Sequence, residues 1–162
     1  MSRFIAATGI LLAVTAALVG CTEEEDPEPQ WTEESAYAAA EETFRAYWAA
    51  GEEDPEGRFA YLTPEMREIE RRSDDELQGL DIELRGTSEI ESSQFVEFRE
   101  VGETTVVEMT ACVDGNAVEV RQGDGSWRSP REDPTYQVEV QLEATGNQML
   151  IADLTESEAD QC

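Results

Sequence analysis

Two periods divide this chain. Ala36, Tyr37, Ala40, Phe44, Tyr47 and Trp48 recur at helical spacing, with Thr32 as an N-cap, Glu33 and Glu34 in the first turn and Gly51 as the stop. Asp54-Pro55 predicts a short second helix carrying Phe59 and Leu62. Thr63-Pro64 repeats that signal for a third, with Met66, Ile69 and Leu77, ending by Gly79. Beyond Gly79 the period becomes two. Leu80, Ile82 and Leu84 alternate with Asp81, Glu83 and Arg85. Further strands are predicted at Phe95–Val101 and Thr104–Val113, then at Ala117–Arg121 after an Asp114-Gly115 hairpin signal. A loop over residues 122–134 precedes the clearest alternation, Tyr136, Val138, Val140, Leu142 and Ala144 against Gln137, Glu139, Gln141 and Glu143. Thr145-Gly146-Asn147 turns it into a last strand, Gln148–Leu154. Helices followed by about six antiparallel strands predict an α+β fold, with the helices packed on one face of a curved sheet.

Ahead of this pattern stands a different one. Met1, Ser2 and Arg3 precede an almost unbroken apolar run, Phe4 to Val19. A basic start, an apolar middle and small residues at the end form an export signal. The run is shorter than the roughly 20 residues that span a bilayer. Leu18-Val19-Gly20-Cys21 resembles the lipobox of bacterial lipoproteins. The resemblance implies cleavage before Cys21 and a diacylglyceryl group on that cysteine. Two acyl chains suffice for stable anchoring. The expected organisation is a signal peptide over 1–20, a lipidated cysteine and acidic tether over 21–30, and one domain over 31–162. Thr22 to Gln30, with four glutamates, an aspartate and two prolines, reads as an extended spacer.

Charge narrows the partners. The chain carries 38 Asp+Glu and 11 Lys+Arg, all eleven of them arginine, for a formal net charge of −27. Nucleic acid is disfavoured, because binding it rests on basic side chains neutralising phosphates. Docking onto anionic lipid heads is disfavoured for the same reason. The expected partners are the membrane, through the anchor at Cys21, and an unidentified protein or small molecule. The expected location is the extracytoplasmic face of the cell membrane.

Setting the lipidated cysteine aside leaves Cys112 and Cys162. In an exported chain an even remainder predicts a disulfide. It would pin the C-terminal residue, closing a loop of about 50 residues worth about 4 kcal/mol on the chain-entropy model.

The chemistry-bearing residue types are few. Without histidine, Ser-His-Asp and Cys-His catalysis and His-containing zinc sites are excluded. Without lysine, Schiff-base chemistry is excluded. No phosphate-cradling glycine loop occurs. Asp114-Gly115-Asn116 and Asp124-Gly125 lack the spacing of a calcium loop. No cofactor, metal site or catalytic residue is expected. Phe44, Tyr47 and Trp48 read as core or as the wall of a pocket, with Tyr136 as a further candidate lining residue. Trp127, in a Gly/Ser/Pro-flanked loop, reads as a lid on the core or a partner contact.

The helix Ala36 to Trp48, Leu62-Thr63-Pro64-Glu65 and Ala111-Cys112-Val113-Asp114 are similar to segments of small lipoproteins of actinobacteria with an NTF2-like, cystatin-type cone. The resemblance implies a fold and no activity, since such domains serve as enzymes, binding modules and spacers. Two functions therefore stand: a non-catalytic, lipid-anchored binding or envelope-associated module, and a small-ligand carrier or proton-transfer enzyme with an apolar cone pocket.

Overall fold

A computed structural model describes residues 31–157 and 162. The predicted signal peptide, Cys21 and the tether lie outside the described residues. The elements run α1 (Glu33–Glu53), a 3-10 turn (Gly57–Tyr61), α2 (Pro64–Gln78), β1 (Ile82–Arg85), β2 (Glu89–Val101), β3 (Thr104–Asp114), β4 (Glu119–Gln122), β5 (Thr135–Thr145) and β6 (Gln148–Glu156). The class is α+β, and every strand pair is antiparallel. The strands divide into a four-stranded sheet, β2-β3-β5-β6, and a separate pair, β1-β4.

The long helix begins where its sequence predicts. Thr32 and Ser35 exchange hydrogen bonds in a capping box, which satisfies donors that a helix start leaves unpaired. Gly51 does not end it; α1 runs on to Glu53, and the Asp54 N–H caps it by donating to Ala50 O at 2.8 Å. The Asp54-Pro55 signal produces a 3-10 turn rather than an α-helix. Asp54 Oδ1 accepts the Gly57 N–H at 3.1 Å, as a cap ahead of Pro55 does, but the residues that follow, Gly57–Tyr61, wind as a 3-10 turn. Thr63-Pro64 behaves as expected, Thr63 accepting from Met66 N with Pro64 in the first turn.

Two strand assignments change. β2 starts six residues before Phe95. Bulges between Ile90 and Ser92 and between Phe95 and Glu97 shift its register twice, so no single period of two survives in the sequence. The Asp114-Gly115 hairpin does not form. Asp114 Oδ1 instead accepts from Asn116 N, Gly115 N donates to Pro134 O, and the chain leaves the sheet. β3 pairs with β5, while β4 crosses to pair with β1, Leu84 opposite Val120.

The core lies between α1 and one face of the large sheet. Ala36, Ala40 and Phe44 are fully buried on the helix. Val107, Met109, Ala111, Val113, Val138, Val140, Leu142, Met149 and Ile151 face them from alternate strand positions. The alanines let helix and sheet approach closely, and Phe44 fills the space this leaves further along. Tyr37 stacks on Phe95 at 4.2 Å between centroids and meets Phe98 edge-on. Leu62 forms a bridge to Ile151, and Thr63 N donates to Ile151 O at 2.9 Å, which covers the β6 edge.

Cys112 and Cys162 form the expected disulfide, with 5.7 Å between their Cα atoms. It ties the last residue to the outer face of β3. Replacing both cysteines by serine lowers unfolding stability in urea by about 4 kcal/mol. An unchanged urea midpoint would remove the bridge from the stability of the domain.

Candidate functional site

The four candidate pocket residues separate into three environments. Phe44 is sealed in the core, 5.6 Å from the Trp48 ring. Tyr136 stands at the start of β5, opposite Val113. The Arg131 guanidinium covers its ring at 4.1 Å and pairs with Glu156. Tyr47 and Trp48 come together at the C-terminal half of α1 and line one open cleft. Trp127 is not a lid on the core. Its ring lies under Arg85 (4.4 Å) and Arg121 (4.7 Å), on the two-stranded sheet. Those arginines pair with Glu119 and Glu83 across the same sheet.

The Tyr47–Trp48 cleft encloses about 470 Å³. α1 supplies Tyr47, Trp48 and Gly51. The 3-10 turn supplies Arg58, α2 supplies Glu70, and the small sheet with its connections supplies Leu84, Gly86, Thr87, Ser88 and Val118. Gly86 allows this wall to close. It sits at φ +82°, and a Cβ there would fall 1.8 Å from Ala117 O. The Trp48 indole N–H donates to Ser88 O at 3.1 Å and fixes the ring against the same wall. Leu84 remains 63% exposed.

The inner end of the cleft is ionic. Arg58 Nη2 reaches both oxygens of Asp74, at 2.8 and 2.7 Å, and Glu70 at 3.2 Å. The Arg58 side chain is 16% exposed and Glu70 19%. Burial pulls the Arg58 pKa down, but the hydrogen bonds and charge of Asp74 outweigh it and hold it above its ordinary value. Burial, then the charge of Glu70, pushes the Tyr47 hydroxyl up to about 12. A phenol held so firmly protonated donates a hydrogen bond and does not serve as a base near neutral pH.

Arg58, Glu70 and Asp74 escaped the sequence reading because the arginine and the two acids belong to separate elements. One signal was there. Glu70 and Asp74 stand four apart on one helix face, a like-charge pair that weakens a helix unless a cation meets it. Arg58 and Arg71 lie over the Phe59 ring at 5.1 and 5.0 Å, and Arg67 donates to Phe59 O and Leu62 O. Met66 is the one buried residue of α2, while Ile69 and Leu77 are exposed. Arginine contacts therefore carry much of the helix's attachment.

Two of the other depressions among the described residues have a different lining. One lies on the outer face of the large sheet, where Glu108, Glu139, Gln141 and Asp153 line about 330 Å³. Arg99 there is already bound to Glu97 and Glu108. The other lies between α1 and the β5–β6 hairpin. Neither brings an indole, a cation and carboxylates together. Among the described residues no group of three or more His, Cys, Asp or Glu is arranged to hold a metal ion, and no helix is long and apolar enough to cross a membrane.

No family model matches the chain, and no curated protein matches it. Among solved structures, the intermembrane space region of the chloroplast protein ARC6 is similar. Its TM-score is 0.51 at 11% identity, over 81% of this chain and 100% of that one. At that identity the similarity concerns the fold alone: helices beside antiparallel strands in an α+β domain.

Two outcomes test the ionic end. Between pH 10 and 12 unfolded Tyr47 ionises while folded Tyr47 does not, so stability falls as pH rises through that window and is fully present below it. Tyr47→Phe removes that loss, about 2–3 kcal/mol at 1.36 per pKa unit; an identical alkaline profile in the variant contradicts the assignment. Arg58→Met leaves Glu70 and Asp74 facing each other. It costs about 2 kcal/mol and speeds amide exchange over 70–78 ahead of the sheet. Uniform exchange across both would show that apolar contacts alone hold α2.

Proposed function

We propose that this chain is a small bacterial lipoprotein: a non-catalytic binding or envelope-associated module, anchored through lipidated Cys21 on the extracytoplasmic face of the cell membrane. The observation that carries this reading is the Cys112–Cys162 disulfide. Such bridges persist in oxidising compartments, and the export signal and Leu18-Val19-Gly20-Cys21 give the route there. The acidic tether of 22–30 holds the domain clear of the bilayer, and its charge keeps it from anionic surfaces.

The finer fold belongs to the same proposal: an NTF2-like or cystatin-like domain. Support comes from α1 lying along one face of a four-stranded antiparallel sheet. Phe44 fills the space between helix and sheet, which favours a binding module over a carrier with a deep apolar cone. The raised hydroxyl pKa values of Tyr47 and Tyr136 weigh against the alternative of a proton-transfer enzyme built on them. The open cleft at Trp48 is then the binding surface.

Replacing Cys21 with serine in a bacterial host with lipoprotein processing moves the protein from the membrane fraction to the soluble one. Equal membrane retention of the variant contradicts the anchor.

A further inference from the structure

The Trp48 cleft has a sided chemistry. Its outer wall is apolar, made of Trp48, Leu84 and Val118. Its inner end holds two carboxylates against one guanidinium. Asp74 places both oxygens on Arg58, while Glu70 contacts it at 3.2 Å and also accepts from the Tyr47 hydroxyl. Two carboxylates against one guanidinium leave the cluster one formal negative charge, and Glu70 is the carboxylate that lines the cleft. The molecule around it adds to that sign, with a formal charge of −27.

We propose that this cleft binds an alkylammonium group, its aliphatic stem along Leu84 and Val118 and its charged head between the Trp48 ring and Glu70. The proposal rests on reading the cleft as the binding surface. An ammonium gains from both the indole face and the carboxylate. An anion meets the field of the whole protein and a guanidinium already bound by Asp74. A neutral chain gains the apolar wall and nothing from Glu70. The volume of about 470 Å³ falls within the range of small-molecule sites. The sequence contains no lysine, so a lysine of a second copy cannot fill the cleft. The occupant is a lysyl side chain of another protein or a free alkylamine.

The test is calorimetric titration of the full chain carrying Cys21→Ser, with its disulfide intact, at near-physiological salt. The probes are N-acetyl-lysine methylamide, the same compound acetylated on its ε-nitrogen, and 1,5-diaminopentane. The lysine probe is expected to bind at one saturable site and its neutral analogue at least about fivefold more weakly. Glu70→Gln and Trp48→Phe each weaken the lysine probe by a similar factor, while Glu143→Gln, on the outer face of the sheet, leaves it unchanged. Binding of the diamine as tight as the lysine probe assigns a free amine, and weaker binding assigns a lysyl side chain; both support the site. Equal binding of the neutral analogue overturns the ammonium and leaves a binding module of other specificity. Heat that never saturates, or that Glu143→Gln reduces as much as Glu70→Gln, overturns the site in favour of diffuse attraction. Absence of heat with all three probes overturns both the ligand class and the cleft. Circular dichroism of each variant, matched to the parent, separates loss of binding from loss of fold.

Discussion

The seam between α1 and the large sheet sets the position of everything else. Ala36, Ala40 and Phe44 have no exposure at all, and the strand residues facing them are equally dry. Small side chains bring the helix close, and Phe44 then occupies the wider end. That choice has a functional consequence. Phe44 fills the seam, and the aromatic residues that follow, buried Tyr47 and half-buried Trp48, line the open cleft. There they meet the 3-10 turn, α2 and the small sheet.

Arginine performs the rest of the assembly in a chain with very few cations. Arg58 joins the 3-10 turn to α2 through Glu70 and Asp74. Arg85 and Arg121 clamp Trp127 while pairing with Glu119 and Glu83. Arg131 covers Tyr136 and reaches Glu156 on β6. Each guanidinium meets an aromatic face and a carboxylate at once, a pairing that a planar delocalised cation makes better than an ammonium. In a strongly acidic protein the attraction of these pairs works against the general repulsion of the surface.

The sequence made α1 and β5 plain because one face of each is buried and the other wet, the condition under which a period is visible. It hid the first six residues of β2, a strand in which bulges break the alternation around Glu91 and Val96. It misled at Asp114-Gly115. A turn dipeptide specifies a local bend, and here the bend releases the chain from the sheet instead of returning it along β3. The cysteine pairing was legible once Cys21 was set aside as the expected lipid site, since one bridge is all that Cys112 and Cys162 can then form. The cleft was half legible. Tyr47 and Trp48 carried a recognisable aromatic signal. Arg58, Glu70 and Asp74 meet only through tertiary packing, and among so many charges no single one stands out in the sequence.

An exported, lipid-anchored domain carries its history in its covalent chemistry. The most direct measurement is mass spectrometry of the protein isolated from bacterial membranes without reductant. A mature chain that begins at diacylglyceryl-modified Cys21, with the Cys112 and Cys162 peptides joined by a disulfide, is the predicted result. An unmodified N-terminus upstream of Cys21 together with two free thiols would contradict it.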